Sequence, residues 1–312
     1  MINQRRVVID QVSPQVNCGN LPIKRVIGEI VKVNAHLLAD GHDIIGASVL
    51  YRAENEKVWK GVRLDHVVND EWEGSFVVET KGIVLYKVEA WIDYGLTWQH
   101  GIERKIEAGQ NVKSELLEGA QILNRIKALA PKDVQSKIEE YSNIFEDTNR
   151  YSEADKIANS EDLHNIFYSF PERHLSNESK EYQIIVDREK AAFSTWYEFF
   201  PRSSSPETDV HGTFKDCERL LPRIAKMGFD TLYFPPIHPI GEVNRKGKNN
   251  TTTAVEGDVG SAWGIGSKYG GHKDIHPDLG SLDDFKSLIK SASNQGIEIA
   301  MDYALQAAPD HP

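Results

Sequence analysis

From Gly28 to Leu37 apolar and polar residues alternate with period two, until Asp40-Gly41-His42 breaks the run. Asp43 to Arg52, Val58 to Leu64, Trp72 to Glu79 and Leu85 to Tyr94 repeat the alternation, separated by turn signals such as Val68-Asn69-Asp70 and Thr80-Lys81-Gly82. Short strands at this spacing predict an antiparallel, Ig-like β-sandwich over residues 1–108. At Gln110 the period changes. Leu116, Ala120, Leu123 and Ile126 form one stripe at three- and four-residue steps, and Val134, Ile138, Tyr141 and Ile144 form a second. Such stripes belong to helices packing on one another, so residues 109–180 are expected to form a helical insert. Pro131 stands near the start of the second helix, where its missing N–H costs little. Tyr182 to Val186 reads as a short strand returning to the sandwich, with 181–190 as strand and linker.

After the linker the pattern becomes strand, loop, helix. Ala191 to Phe199 is an aromatic-rich strand, and Phe214 to Met227 has helical spacing ended by Gly228. Thr231 to Phe234 is a second buried strand, stopped by Pro235-Pro236. A helix from about Leu282, capped by Ser281, runs to Gln295, and Ile297 to Tyr303 is the third strand. Three strands alternating with two helices predict a parallel sheet with right-handed crossovers. Two helices do not shield both faces of such a sheet, so the unit reads as unfinished.

Composition narrows the partners. The formal charge of −11 repels phosphate backbones and anionic membranes, so neither nucleic acid nor membrane is expected as a partner. No stretch approaches the roughly 20 apolar residues of a membrane span, and no apolar run follows the basic pair near the N-terminus. Cys18 and Cys217 lie far apart without metal-type spacing, so a reducing cytoplasm is the expected location.

Ligands of parallel sheets sit in the loops after the strands, and residues 235–280 form a loop far longer than the usual connection of about two to six residues. It is rich in glycine and holds Trp263 and Tyr269. Two familiar signatures fail here. Gly241 to Asn249 has the wrong spacing for a phosphate loop and ends in Asn, and Gly264 to Gly270 misses the dinucleotide spacing by one. His272 and His276 are four apart, but Pro277 rules out a helical zinc pair. Arg245-Lys246-Gly247-Lys248-Asn249-Asn250 combines three cations, a glycine and two amides, which suits either a bound phosphate or sugar or a solvated basic turn.

Several stretches resemble the α-amylase superfamily, glycoside hydrolase family 13. Thr195 to Ser203 (TWYEFFPRS) looks like its first barrel strand, Met227 to Ile237 (MGFDTLYFPPI) like its second, and Tyr269 to Phe285 like the lead-in to its third. Asp302 then falls on the family's first sequence region, an Asp followed at +4 by Asn and at +5 by His. Here Gln306 replaces the Asn and Ala307 the His, which argues against ordinary amylase activity. The Gln, with Asn244 to Asn250 and Gly260 to Gly266, is similar to the α-1,4-glucan:maltose-1-phosphate maltosyltransferases. So is the domain order.

The resemblance implies a fold of β plus α/β domains. In it the sandwich with its helical insert precedes the first three strands of a (β/α)8 TIM barrel over 191–312. It implies retaining transfer of maltosyl units from α-maltose 1-phosphate to α-1,4-glucan, with Lys246, Asn250 and Gln306 on donor sugar or phosphate and Asp302 as the subsite Asp. The nucleophile and acid are expected beyond Pro312, so the chain itself is expected to be inactive. No cofactor and no metal are expected, and a homodimer is implied, with the helical insert able to serve as its contact. Two other readings stay open at this point. An amylase-like hydrolase is one, and a carbohydrate-binding module using Trp59, Trp72, Trp91 and Trp98 is the other. Trp263 suits either a sugar-stacking role or a plug for the loop.

Overall fold

The computed structural model describes residues 5–312. They form two compact units that divide between Ala192 and Phe193. The fold is therefore multidomain, with β sheets and helices in the first unit and a β/α arrangement in the second.

In the first unit the strands are β1 (Val8–Ser13), β2 (Ile23–Val26), β3 (Ile30–Leu38), β4 (Ile45–Ala53), β5 (Lys60–Arg63), β6 (Asp65–Val68), β7 (Glu71–Val77), β8 (Gly82–Ile92), β9 (Asn177–Glu178) and β10 (Tyr182–Asp187). One sheet runs β1-β3-β7-β6 and is antiparallel throughout. The second runs β2-β10-β8-β4-β5, with β9 on β8. The alternation read from the sequence works as expected in β3, where Val31, Val33, Ala35 and Leu37 are buried between exposed or half-exposed neighbours. Side chains of both sheets then share one core, Val49, Val88 and Ile184 joining those of β3.

Two features depart from an alternating antiparallel pattern. First, β10 returns after the helices and inserts between β8 and β2, pairing antiparallel with β8 but parallel with β2 through Ile184 opposite Ile23. Second, β8 is buried almost continuously from Val84 onward. Its charged members Lys87 and Glu89 are held by Glu178 and Arg173, each at 2.7 Å, as burial of a charge requires.

The helices are α1 (Tyr94–Glu107), α2 (Lys113–Ile126), α3 (Lys132–Glu146), α4 (Tyr151–Ala158) and α5 (Glu161–Ser169). They share a second core built on Leu96, Trp98, Ile102, Leu123, Ile138 and Phe167. The predicted strand character of residues up to about 107 therefore fails over 94–107. Asp93 accepts a hydrogen bond from the Leu96 N–H at 3.2 Å and starts α1, and Leu96, Gln99 and Ile102 then turn one face inward. Close packing needs Gly119, since a Cβ there would overlap the Trp98 ring. No helix among the described residues is long and apolar enough to cross a membrane.

The second unit contains β11 (Trp196–Glu198), β12 (Thr231–Phe234) and β13 (Glu298–Met301), paired parallel in that order. Helices α6 (Phe214–Lys226) and α7 (Leu282–Asn294) each begin with a capping box, Thr213 with Asp216 and Ser281 with Asp284. Gly228 and Gly296 follow their C-termini at φ +88 and +74, which only glycine adopts without strain. Phe214, Leu221 and Ile224 of α6 and Phe285, Leu288 and Ala292 of α7 cover Leu232 and Phe234 of β12. β11 is shorter than its aromatic run predicts, because it pairs with β12 alone and leaves Trp196 half exposed.

Candidate functional site

Parallel pairing puts the ends of β11, β12 and β13 on one edge of the sheet, with Glu198 beside Tyr233 and Phe234 beside Met301. The three segments that leave this edge are 199–213, 235–281 and 302–312. They build the candidate site.

The long loop is anchored by its own residues. Arg245 donates from Nε to the Gly241 carbonyl at 2.8 Å, from Nη2 to that of Ile240 at 2.9 Å and from Nη1 to that of Asp258 at 3.2 Å. One of the three clustered cations is thus a pin inside the loop. Lys246 and Lys248 remain at the cavity walls. Gly247 has no room for a side chain, since a Cβ would overlap Thr251 Oγ1 and the Thr253 carbonyl. Asn244, Asn249 and Asn250 all have φ between +55 and +61, a left-handed conformation that asparagine tolerates better than most residues. Part of the reason for these amides is therefore conformational.

The segment after β13 closes against this loop. Ile265 bridges Ala307, the Ala308 N–H donates to the Ile265 carbonyl at 2.7 Å, and the Glu242 N–H donates to Asp310 Oδ2 at 2.8 Å. That last bond holds the Asp310 carboxyl below its ordinary pKa. The tie brings Gln306 to Lys246 and Asn250, and all three line one cavity of about 380 Å3 with Ser261 and Asn244. A neighbouring cavity of about 520 Å3 shares Lys246, Asn250 and Ser261 and adds Arg202, Lys248 and Trp263.

Asp302 lines neither cavity. Its backbone N–H donates to the Phe234 carbonyl at 2.9 Å, and its Oδ2 accepts from Trp263 Nε1 at 2.7 Å. The Tyr233 phenol beside it is pushed up in pKa, by burial first and then by the Asp302 carboxylate. Trp263 packs edge-to-face on Phe200, with ring centroids 5.8 Å apart. It therefore links Asp302 to the wall of the larger cavity. Arg202 is the functional candidate that sequence reasoning passed over. It donates to the Gly260 carbonyl at 3.1 Å, and burial pushes its guanidinium down in pKa. Its signal was its place just past the first strand, where ligand loops begin.

Comparison with known proteins decides the family. A family model described as α-1,4-glucan:maltose-1-phosphate maltosyltransferase, domain N/S, matches residues 5–188. The chain belongs to the α-1,4-glucan:maltose-1-phosphate maltosyltransferase family. A member of that name from Chlorobaculum tepidum is 44% identical over 99% of this chain and 46% of its own length. One from Methylacidiphilum infernorum is likewise 44% identical, over 99% of the chain and 46% of its own. The chain thus spans about half the length of the maltosyltransferases it matches, and the similarity includes the second unit with its cavities. A crystal structure of an α-amylase from Lactobacillus plantarum shares 34% identity over 38% of this chain and 24% of its own, at a TM-score of 0.30, which carries no argument about the fold.

Membership in a maltosyltransferase family also bears on the tryptophans of the first unit. Trp91 and Trp98 are buried and serve packing. Trp59 has the Arg52 guanidinium 4.7 Å and the Lys87 ammonium 4.8 Å from its ring centre, so its π system already has cationic partners.

Proposed function

We propose that this chain is the N-terminal portion of an enzyme that transfers maltosyl units from α-maltose 1-phosphate to the non-reducing end of α-1,4-glucans, with retention of configuration and release of phosphate. The convergence of Lys246, Asn250 and Gln306 on one cavity at the loop edge of a parallel sheet carries this reading. Strands β1–β8, with β10 returning after the helices, would form an Ig-like sandwich, α1–α5 its helical insert, and residues 193–312 the first three strands of a (β/α)8 barrel. The working enzyme would be a cytoplasmic homodimer.

The chemistry of the cavity supports a phosphorylated sugar. Lys246 offers an ammonium group to a phosphate dianion, with Lys248 on the neighbouring cavity, and the Asn250 and Gln306 amides offer both donors and acceptors to sugar hydroxyls. Arg202 adds a planar guanidinium to the neighbouring wall. Asp302, fixed by Trp263, is an acceptor for a hydroxyl at the sheet edge. Retaining transfer requires two carboxyl groups about 5–5.5 Å apart across the anomeric centre. We assign both to the part of the family's length that these residues do not span, and infer that the chain alone binds donor without turning it over.

Titration of the chain with α-maltose 1-phosphate by calorimetry tests the reading. Binding is expected, and Lys246→Ala should weaken it at least about tenfold, which corresponds to ~1.4 kcal/mol. Equal affinity for maltose and α-maltose 1-phosphate, or an unchanged constant in Lys246→Ala, would overturn the assignment of the phosphate to this cavity.

A further inference from the structure

Within the second unit, on a cavity that Lys246 does not line, two histidines and a carboxylate converge. His211 comes from the segment after β11, while His276 and Asp278 come from the end of the long loop. One ligand atom from each lies within 4.8 Å of the others. The two imidazoles are 5.7 Å apart, centre to centre, and 18° from parallel. All three residues line a cavity of about 350 Å3, which gives a bound ion room for a further ligand.

We propose that His211, His276 and Asp278 form a binding site for a first-row divalent metal ion, with zinc as the best match. The hydrogen bonds prepare the rings for it. His211 Nδ1 lies 2.8 Å from the Gly212 carbonyl, which can only accept, so Nδ1 carries the proton and Nε2 keeps a free lone pair. His276 Nδ1 accepts only a long 3.3 Å bond from the Asp278 N–H and stands 4.0 Å from Asp278 Oδ2. A metal at Nδ1 replaces that weak bond and gains the carboxylate beside it. Tetrahedral zinc with bonds of about 2.0–2.1 Å sets its donors roughly 3.4 Å apart. The three groups, now up to 4.8 Å apart, must therefore close by up to about 1.4 Å, and Asp278 is exposed and sits at a loop turn that allows it.

The surrounding charge selects the kind of ion. Arg245 and Arg202 both act on His276, and their positive charge opposes any cation held by electrostatics alone. Calcium and magnesium depend on several oxygen ligands, and a single carboxylate does not hold them. Zinc, cobalt and nickel bind neutral imidazole through nitrogen and tolerate such a setting better.

The test uses the 312-residue chain, stripped with a chelator and titrated with cobalt(II) and zinc(II). One equivalent of zinc should remain after gel filtration, and cobalt should show the visible absorption of a tetrahedral nitrogen–oxygen site. His211→Gln, His276→Gln and Asp278→Asn should each weaken binding at least tenfold, while His100→Gln in the first unit leaves it unchanged. His211→Gln leaves the 276–279 turn untouched, so its result stands even if His276→Gln loosens that turn. Absence of a retained equivalent, or undiminished binding in any one of the three site variants, would overturn the proposal.

Discussion

Replacing Asp93 by asparagine should leave the first unit within about 1 kcal/mol of its original stability at neutral pH, although Asp93 is a buried partner of an ion pair. Asp93 is only 1% exposed, caps α1 through the Leu96 N–H and lies 3.3 Å from Arg63 Nη2. Removing one member of a buried pair ordinarily costs about 3–5 kcal/mol, because the other charge is left uncompensated. Two observations argue against that figure here. The carboxyl is raised in pKa, burial outweighing the Leu96 bond and Arg63 together, so its charge is a net cost to the fold. Arg63 in turn keeps other partners, with its guanidinium 4.8 Å from the Trp91 ring centre and 4.5 Å from that of Tyr168. Asparagine retains the cap, whereas alanine loses it and should cost about 1 kcal/mol more. The pH dependence follows from the sign of the shift. A raised carboxyl contributes stability that is complete below its unfolded pKa and is lost as pH rises through the folded one. The original chain should therefore gain on Asp93→Asn as pH falls from 7 toward 4. Urea unfolding followed by far-UV circular dichroism at several pH values measures this. A loss of 3 kcal/mol or more in Asp93→Asn at pH 7, shrinking on acidification, would show that pairing with Arg63 dominates and that the burial argument is wrong.

Two further substitutions probe packing and the loop. Gly119→Ala should cost about 1–3 kcal/mol in thermal unfolding, because Trp98 is tied by its indole N–H to the Glu115 carbonyl at 2.6 Å and cannot move aside freely. Arg245→Lys should leave at least one of three loop carbonyls without its donor, at about 1 kcal/mol each. Faster hydrogen exchange confined to residues 240–266 is the expected signature, and an unchanged exchange profile would mean that the loop does not depend on this pin.

Much of the fold was legible because its signals are local. The alternation in β3, the stripes of α2 and α3, the capping residues Thr213 and Ser281 and the terminating glycines all act within a few positions of themselves. What the sequence hid depends on partners far away. The helix α1 was masked because Thr97 and Trp98 favour strands locally, while its inward face is defined by Phe167, some seventy residues on. The parallel place of β10 beside β2 likewise arises only once the helices have returned the chain to the sheet.

The loop cavities show where such local reading stops. A run of three cations is one object in the sequence and at least two in space, since Arg245, though it also borders a cavity, is bonded to carbonyls of its own loop, while Lys246 lines two neighbouring cavities. Spacing cannot separate these roles, because both residues are basic and adjacent. Only the backbone positions of Ile240, Gly241 and Asp258 determine which side chain turns inward. The same holds for Trp263, which sequence left between a stacking surface and a plug. Its indole N–H meets Asp302, thirty-nine residues later, so its orientation depends on β13 arriving beside β12. A residue of this kind becomes readable only when the strand that positions its partner is known. The roles of Arg202 and the His211–His276 pair belong to the same class, being set by which segments the parallel sheet releases at one edge.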